Sequence, residues 1–421
     1  MKTRAFTLIA LSATAALLAL RPTWAQGPLT PPGAPAPTMV TLSQIEPRTP
    51  ITNTTAVTIS QPGSYYLTTN ITVTNGNAIT ITANDVTLDL NGFTISSTAT
   101  SPTGVGIFMT GGRGEIVHIH ILNGHIRGDL TQNLGVYSGT GFQSGIGVDQ
   151  SGGRDMRASG VSVSGCLYSG IGLGAGNATI VESCIVDNVG GSGIDADSVA
   201  DSVAYNCGLI GISATTANNC YGNGQINGGL IADDAINCSG VSSNGSGVAV
   251  NHSAQNCYGT STSGTGLSAG NAQNCYGTST SGNGLSAGNA QNCSGSSSGN
   301  GVGLSAGMAV NCYGTSTSGN GLYSSGNAQN CDGQSSGSGT GVLVAYNAQN
   351  CYGISTSGYG LSAFIAESCY GGGGNGHNGL VANYANTCYG VSNGAPGLAA
   401  EGCANFCFGS SVSTECKYNM P

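Results

Sequence analysis

The feature that most constrains the fold is a short repeat, marked by a cysteine, that runs through the second half of the chain. The unit GNAQNCYGTSTSGNGLSA (270–287) follows a near copy, SAQNCYGTSTSGTGLSA (253–269), and diverged copies continue to Cys388. From Cys166 to Cys388, the separations between successive cysteines are 18, 23, 13, 18, 19, 18, 18, 19, 19, 20, 18 and 19. The 23 and 13 together span two periods, which indicates one displaced cysteine. So short a unit predicts one coil of a parallel β-solenoid.

Each coil is predicted to consist of two or three short strands joined by turns rich in Gly and Asn. In the segment GLSA, Leu285 and Ala287 are two positions apart and face the interior together, because side chains alternate along a strand. Gly288 and Asn289 are expected to form a tight turn. The segments AQNC and YGTSTS then supply the further strands.

Coils stacked ~4.8 Å apart place equivalent side chains in columns along the solenoid. The predicted inward leucine column consists of Leu267, Leu285, Leu304, Leu322, Leu343, Leu361, Leu380 and Leu398. An asparagine column, whose buried amides are expected to bond along the stack, consists of Asn256, Asn274, Asn292, Asn311, Asn330 and Asn350.

The sequence before the repeat also indicates strands. Segments such as AITITA (78–83) and IVHIHIL (116–122) alternate apolar and polar residues, as half-buried strands do. Helix formers are scarce, 72 of the 421 residues are Gly and only 6% are charged, so a helical bundle is not expected. The predicted organisation is a signal peptide (1–25), a Pro-rich linker (26–39), N-terminal coils (40–130), repeat coils (131–400) and a C-terminal cap (401–421).

The first residues have the pattern of a secretory signal. Lys2 and Arg4 precede an apolar stretch from Thr7 to Leu20, and small residues lead to Ala25. This pattern predicts cleavage after Ala25, since the apolar stretch is shorter than the ~20 residues that span a bilayer as a helix. We therefore expect an exported protein, secreted or held at the cell surface, with no transmembrane segment in the mature chain.

The charge balance restricts the partners. Without Lys2, Arg4 and Arg21, 6 basic residues remain against 18 acidic ones, a net charge of −12, and no basic run occurs. Phosphate contacts need clustered Lys or Arg, so nucleic acid is excluded as a partner. Acidic polysaccharides are also repelled unless cations intervene.

Two segments carry a family resemblance. SGIGLGAGNATIVESC (169–184) and NGGLIADDAINCSG (227–240) resemble coils of secreted right-handed parallel β-helix proteins of the pectin-lyase-like superfamily. Residues 62–95 are similar to the first coils of many bacterial members, and the resemblance covers roughly residues 40–400. It implies a right-handed β-helix. It does not select an activity, because this fold carries lyases, hydrolases, epimerases, adhesins and phage tailspikes.

One cysteine per coil at a fixed strand position predicts a buried column in which Cys acts as a small apolar residue. Parallel, in-register Cβ vectors suit the S–S torsion poorly, so we expect mostly reduced thiols. No Cys-x-x-Cys pair or Cys/His cluster points to a metal site. Cys403, Cys407 and Cys416 depart from the period, and a disulfide in the C-terminal cap is the expectation there.

The candidate catalytic residues are Asp195, Asp197, Asp233 and Asp234. Aligning GIDADS with GLIADD places Asp197 and Asp233 in one column, two coils and ~9.6 Å apart. Inverting glycosidases separate their two carboxyl groups by ~6.5–9.5 Å. The motif ADDAIN is similar to the acidic pair of polygalacturonase-like hydrolases, but their Asn-Thr-Asp and Arg-Ile-Lys motifs are absent. Two alternatives are calcium bound by the acidic block and aspartates that serve only as turn residues.

Tyrosines and histidines supply further candidate binding residues. Tyr258, Tyr276, Tyr313 and Tyr352 each follow a cysteine, so they face outward if Cys faces inward. They are candidates for stacking on sugars, with shielding of a sheet face as the alternative. His118 and His120 are expected on the outward face of one strand, as ligands of a metal or a sugar acid or simply as a solvated surface.

Two functions are compatible with this pattern. The favoured one is a non-enzymatic rod that binds a polysaccharide or cell-surface glycan, or that has a structural, adhesin-like role. Residues 235–400 support it, since Asp332 and Glu367 are their only Asp, Glu, Lys or Arg residues. The alternative is a polysaccharide lyase or glycoside hydrolase with its site in the acidic block (182–234). No cofactor is expected for either, apart from calcium at that block.

Overall fold

The structure, a computed structural model, describes residues 46–112, 115–133, 135–150 and 152–418, without the side chains of 412 and 414–418. The predicted signal peptide (1–25) and linker (26–39) lie outside the described residues, as do residues 40–45. The chain divides into two compact units, and the second begins at Arg48. Within the described residues, no helix is long and apolar enough to cross a membrane.

The second unit is a parallel β-solenoid of about 19 coils. Among the residues that the structure describes, 41 solenoid strands form one continuous hydrogen-bonded network, and two further strands form a separate hairpin. The predicted all-β, parallel β-helix is therefore confirmed. In the repeat, Leu267 pairs with Leu285 and Tyr258 with Tyr276, so identical residues stack in register.

The N-terminal coils contain β1 (Thr49–Ile51), β2 (Val57–Ile59), β3 (Gly63–Leu67), β4 (Ile71–Val73), β5 (Ile79–Ile81), β6 (Val86–Asp89), β7 (Thr94–Ser97), β8 (Val105–Met109) and β9 (Ile116–Arg127). An antiparallel hairpin of β10 (Asp129–Asn133) and β11 (Val136–Thr140) follows. The Tyr137 hydroxyl at the hairpin donates to the Asn206 carbonyl at 2.7 Å, which holds the hairpin against the coils. Burial is the main reason that the pKa of Tyr137 rises to about 12.

The central coils contain β12 (Ser144–Val148), β13 (Gly153–Ser164), β14 (Ile171–Gly174), β15 (Ile180–Glu182), β16 (Ile185–Val189), β17 (Ile194–Ala200), β18 (Val203–Cys207), β19 (Ile210–Asn218), β20 (Tyr221–Gly224), β21 (Gly228–Ile236), β22 (Ser239–Ser242), β23 (Ser246–Gln255) and β24 (Tyr258–Ser261). The later coils contain β25 (Leu267–Gln273), β26 (Tyr276–Ser279), β27 (Leu285–Gln291), β28 (Ser294–Ser297), β29 (Leu304–Val310), β30 (Tyr313–Ser316), β31 (Leu322–Ser324), β32 (Ala328–Gln329), β33 (Asp332–Ser335), β34 (Val342–Val344), β35 (Asn347–Gln349), β36 (Tyr352–Ser355), β37 (Leu361–Glu367), β38 (Tyr370–Gly373), β39 (Leu380–Asn386), β40 (Tyr389–Ser392), β41 (Leu398–Asn405), β42 (Phe408–Gly409) and β43 (Val412–Tyr418).

A repeat coil has three outer faces, which we name from the coil that begins at Leu267. The LSA face is formed by residues 267–269, the NAQ face by 271–273, and the YGTS face by 276–279. The first two belong to one bent strand, β25, and the third is β26. Leucine, alanine, cysteine and serine side chains from all three faces point inward and are buried: Leu267, Ala269, Ala272, Cys275 and Ser279.

The tight turn of the coil is at asparagine and not at Gly288–Asn289, as the sequence predicted. Strand β27 runs through both residues without interruption. The corner comes later, at Asn292, whose φ of 54° is left-handed. Asparagine tolerates this conformation better than most residues that carry a Cβ, which explains why it recurs at this position.

The asparagine column is exposed, so the expectation of buried amides was wrong. Each amide donates to the side-chain oxygen of the coil before it, as Asn274 Nδ2 does to Asn256 Oδ1 at 3.2 Å. The chain of bonds starts at the Asp201 carboxylate, which accepts from Asn219 at 3.0 Å. It continues through Asn237, Asn256, Asn274, Asn292, Asn311, Asn330 and Asn350. All the amide NH2 groups of this row thus point toward Asp201, and the negative charge of its carboxylate terminates the row.

The leucine column is confirmed except at one coil. Val342, not Leu343, pairs with Leu322 and is fully buried, and Leu343 pairs with the outward Tyr323. Cys331 and Cys351 are one position further apart than the two cysteines of the preceding coil, and the extra residue precedes Val342. The predicted Leu343 position was therefore wrong by one residue, which reverses the face.

The cysteines form the predicted buried column with two corrections. Eleven consecutive described coils each contribute one buried cysteine: Cys220, Cys238, Cys257, Cys275, Cys293, Cys312, Cys331, Cys351, Cys369, Cys388 and Cys407. Cys407 thus keeps the period, contrary to the prediction, and it is a free thiol and not part of a cap disulfide. The side chain of Cys416 lies outside the described residues.

Cys166 and Cys207 stand apart from this column. Ser164 pairs with Asp187, and Val189 with Cys207, so these two cysteines occupy another inward position. Ser202 takes the column position in the coil of Cys207, and its hydroxyl accepts from the Cys184 backbone N–H at 3.1 Å. Burial raises the pKa of both Cys166 and Cys207 to about 12, so both stay thiols at neutral pH.

Candidate functional site

The acidic block lies on β17 and β21, and Asp197 holds a loop together. Asp197 Oδ2 accepts from the backbone N–H of Asn177 at 2.7 Å and of Thr179 at 3.2 Å. Asp197 Oδ1 accepts from the backbone N–H of Gly176 and from the Thr215 hydroxyl. Desolvation acts to raise the pKa of Asp197, but these hydrogen bonds outweigh it and leave the pKa below its ordinary value. A carboxylate so engaged is a poor nucleophile or base.

Asp195 has the opposite electrostatic environment. It lies two residues before Asp197 on the same strand and pairs with Ser213 of the next coil. Partial burial raises its pKa, the Asp197 charge adds to the rise, and a hydrogen bond from Ser213 opposes it. Asp195 is therefore the carboxyl in this block that is best suited to hold a proton.

Asp233 and Asp234 lie two coils beyond the first pair. Ser198 pairs with Thr216 and Thr216 with Asp234, and this register places Asp197, Thr215 and Asp233 in one column. Thr215 thus stands between the two aspartates. Asp233 Oδ1 accepts from the Asn251 amide at 2.6 Å, and Asp234 Oδ1 from the Ser253 backbone N–H at 3.1 Å.

No group of three or more His, Cys, Asp and Glu side chains converges on a metal-sized site in the described residues. His118 lies at a left-handed corner, between the carboxylates of Asp85 and Asp155, at 2.8 and 3.5 Å. His120 bonds to the Ser159 hydroxyl at 2.9 Å instead. Burial lowers the pKa of His120, and the nearby Arg157 guanidinium lowers it further. The two histidines therefore have separate partners.

The tyrosines face outward but form a broken strip. Tyr258 and Tyr276 stack with centroids 5.4 Å apart and an interplanar angle of 17°. Tyr352 stacks on Tyr370 at 4.7 Å and 11°. Tyr313 is flanked by Ser294 and Asp332 in the neighbouring coils. Stacked rings cover each other's faces and present mainly edges to solvent, which makes these pairs poor platforms for a sugar ring.

A concave surface that was not predicted from the sequence lies on the NAQ face. It is a shallow groove of about 450 Å³ over β23, β25, β27 and β29. Its floor is the backbone of the alanine column, Ala254, Ala272 and Ala290, whose side chains point inward and are buried. One wall is formed by Ser253, Asn271, Asn289 and Met308, and the other by Gln255, Gln273, Gln291 and Val310. The triplet Asn-Ala-Gln, repeated once per coil, was the signal in the sequence.

The groove walls combine fixed and available hydrogen-bonding groups. Asn289 Nδ2 donates to Asn271 Oδ1 at 2.8 Å, so this wall is ordered along the stack. In the described part of the chain, the side-chain amides of Gln255, Gln273 and Gln291 form no hydrogen bond and are exposed. None of the residues that line the groove, all within the described ranges, is charged. The groove thus offers side-chain donors and acceptors on both walls without any charge.

Comparisons with known proteins do not select an activity. The sequence matches no protein-family model and no curated protein sequence. Among solved structures, the chain is similar to the Azotobacter vinelandii mannuronan C-5 epimerase AlgE4 A-module, with 12% identity and a TM-score of 0.23. The alignment covers 86% of this chain and 89% of the module.

Proposed function

We propose that this protein is a non-enzymatic binding rod for a neutral polysaccharide, which lies in the groove of the NAQ face. The observation that carries the proposal is the uncharged groove itself, with free glutamine amides at successive coils. Its polar groups repeat every ~4.8 Å along the solenoid. A polymer with regularly spaced hydroxyls can bond to such a row, whereas a small ligand would use only part of it.

Charge favours a neutral polymer over an acidic one. The excess of acidic over basic residues gives a negative field around the chain, which repels uronates. A neutral sugar has no such cost and finds amide donors and acceptors on both walls. Apolar C–H groups of the sugar can rest on Met308 and Val310, which line the groove, as ligand pockets commonly combine apolar surface with a few placed polar groups.

A hydrolase acting on a glycan is the second candidate, and the environment of Asp195 favours it. A carboxyl with a raised pKa can act as a general acid. A hydrolase also needs a second carboxylate. Asp197 is poorly suited to that role, because both of its oxygens already accept hydrogen bonds. Asp233 lies two coils away, with Thr215 between the two carboxylates.

The test is to mix the protein with mannan, hydroxyethyl cellulose and polygalacturonate, with and without calcium, and to measure sedimentation and products. We expect co-sedimentation with a neutral polymer and no fragments by mass spectrometry. Fragments that disappear in Asp195→Asn would replace the binding rod with the hydrolase. Free, intact polymers throughout would remove both glycan functions.

Variants locate the binding surface. Gln273→Ala combined with Gln291→Ala removes two available amides from the groove and should weaken binding to the neutral polymer about tenfold, or about 1.4 kcal/mol. The matched control is Thr278→Ala with Ser296→Ala, which removes paired outward hydroxyls from the YGTS face of the same coils. Equal losses in both pairs would contradict a site on the NAQ face.

A further inference from the structure

Three exposed aromatic side chains lie along one edge of the NAQ face, beyond the groove. Their exposed fractions are 61% for Tyr346, 46% for Phe364 and 50% for Tyr384. The backbone N–H of Phe364 donates to the Tyr346 carbonyl at 3.0 Å, which places these two residues in adjoining coils. The third coil follows, because Ile365 pairs with Tyr384. We call Tyr346, Phe364 and Tyr384 the aromatic platform.

Tyr384 continues the asparagine-bearing wall of the groove, and Tyr346 and Phe364 flank that wall. Register connects Ala309 with Ala328 and Ala348, and Asn347 pairs with Ile365 and through it with Tyr384. The wall that begins with Ser253 thus runs on from Met308 through Asn347 and Ile365 to Tyr384. Tyr346 and Phe364 lie one residue before this wall, at the corner with the LSA face. A chain that leaves the groove parallel to the solenoid axis passes Asn327 and then meets these rings.

Ring orientation distinguishes the platform from the tyrosine strip. Phe364 and Tyr384 meet edge to face, with centroids 6.1 Å apart and an interplanar angle of 77°. In such a pair, only one ring uses its face in the contact. The stacked tyrosines Tyr258 and Tyr276 cover each other instead. An uncovered aromatic face on an exposed side chain is the surface on which the C–H face of a pyranose can rest.

Neighbouring charge selects the kind of chain. Glu367 lies on the same strand as Phe364, and it forms no ion pair within the described residues. It pairs with Asn386 of the next coil, in the row of the groove glutamines. A uronate polymer at the platform would face this carboxylate, whereas a neutral chain gains a hydrogen-bond acceptor for its hydroxyls.

We propose that the aromatic platform is a stacking subsite for the same neutral polysaccharide chain that occupies the groove. This proposal rests on the proposed function and extends it to Phe364 and Tyr384. It replaces Tyr258 and Tyr276 as the sugar-stacking residues. The groove supplies hydrogen bonds along the chain, and the platform supplies the apolar contact that hydrogen bonds in water do not provide.

The test compares matched pairs of ring deletions by isothermal titration with hydroxyethyl cellulose and mannan. Phe364→Ala with Tyr384→Ala should weaken binding about tenfold. Tyr258→Ala with Tyr276→Ala, which removes two stacked rings of similar exposure, should change it less than about twofold. Tyr384→Phe keeps the ring and should bind like the unchanged protein, while Tyr384→Leu should not. Circular dichroism and the thermal midpoint check that each variant folds.

The outcomes separate this proposal from the function on which it rests. If the unchanged protein binds neither polymer, the proposed function and the platform both fail. If it binds and the platform variants bind equally well, the function stands and the platform is overturned. Sedimentation velocity addresses the other occupant of an exposed aromatic surface: a dimer that the platform variants dissociate would assign these rings to a second copy of the chain and overturn the proposal.

Discussion

At single residues, the narrow interior depends on positions where no side chain fits. A Cβ on Gly277 would lie 2.2 Å from the Gly284 carbonyl oxygen and 3.0 Å from the Leu267 nitrogen. A Cβ on Gly284 would lie 2.2 Å from the Ser296 nitrogen. At this level of the coil, the backbone of one strand packs directly on the backbone of another. The high glycine content is therefore a requirement of the cross-section and not a sign of flexibility.

Gly277→Ala should destabilise the protein by about 3 kcal/mol or more, because backbone and not a side chain must move to admit the methyl group. Urea unfolding followed by circular dichroism measures the loss. Gly172→Ala is the control, since a Cβ there meets nothing closer than the Ile146 carbonyl oxygen at 3.9 Å. Equal losses in the two variants would contradict the backbone-packing explanation.

Asp195→Asn and Asp197→Asn should shift the thermal midpoint in opposite directions at neutral pH. The folded pKa of Asp197 is lowered, so its stabilising contribution is complete above its unfolded pKa of about 3.9 and is lost as pH falls through the folded value. The folded pKa of Asp195 is raised, so it destabilises above that folded value and the penalty disappears on protonation. Thermal midpoints measured between about pH 7 and pH 3 test both signs. A fall in both variants at neutral pH would refute the assignment for Asp195.

Among the elements, the corner between the NAQ and YGTS faces is the most regular part of the coil. It combines a left-handed backbone at Asn274 with side-chain bonds to Asn256 and from Asn292. The conformation and the ladder are separate contributions, and one residue type supplies both. Where the ladder ends, Ser368 and Thr387 keep the left-handed conformation without an amide.

Two substitutions separate these contributions. Asn274→Gly removes the amide but accepts the left-handed backbone, and should cost about 0.5–1.5 kcal/mol. Asn274→Ala loses the same amide and keeps a Cβ that glycine lacks, so it should be about 1–2 kcal/mol less stable than the glycine variant. Chemical unfolding of both variants in parallel gives the difference. If the glycine variant is no more stable than the alanine variant, backbone strain at this corner does not contribute significantly to the free energy of unfolding.

The period made the coil and its inward Leu and Cys positions predictable, because stacked in-register strands must repeat side-chain direction. Turn placement was less predictable, since Gly288–Asn289 and Asn292 both offer turn-forming residues and only the strand bend distinguishes them. Leu343 was assigned to the inward face wrongly, because the sequence does not show whether the extra residue of this coil lies before or after it. The groove was missed because Gln273 and its equivalents are ordinary surface residues until register aligns them.

For the whole solenoid, stability should be close to a sum over coils. Each coil bonds to the one before and the one after it, as Tyr276 does to Cys257 and Leu285 does to Gly303. Repeat proteins of this kind are approximately one-dimensional, with intrinsic and nearest-neighbour terms. Columns of identical residues make neighbouring interfaces interchangeable.

Deleting residues 270–287 should therefore leave a folded protein with one coil fewer. The deletion joins Ala269 to Gly288 and restores the sequence of an intact coil. We expect an unchanged circular dichroism spectrum per residue and nearly the same thermal midpoint. Deleting only residues 270–278 removes half a coil and should prevent folding, since inward and outward columns no longer align. A folded half-coil deletion would contradict the register argument.

The direction of the inter-coil hydrogen bonds has a mechanical consequence. Bonds such as Tyr276 N–H to the Cys257 carbonyl, 2.9 Å long, point from coil to coil along the axis. Tension applied along that axis loads one coil boundary at a time, so strands peel and do not shear. Each detached coil replaces a spacing of ~4.8 Å with a free chain that extends to ~60 Å. Under axial tension the solenoid should therefore unfold one coil at a time, in steps of similar length and low force. The work done on it is absorbed as the detached coils lengthen.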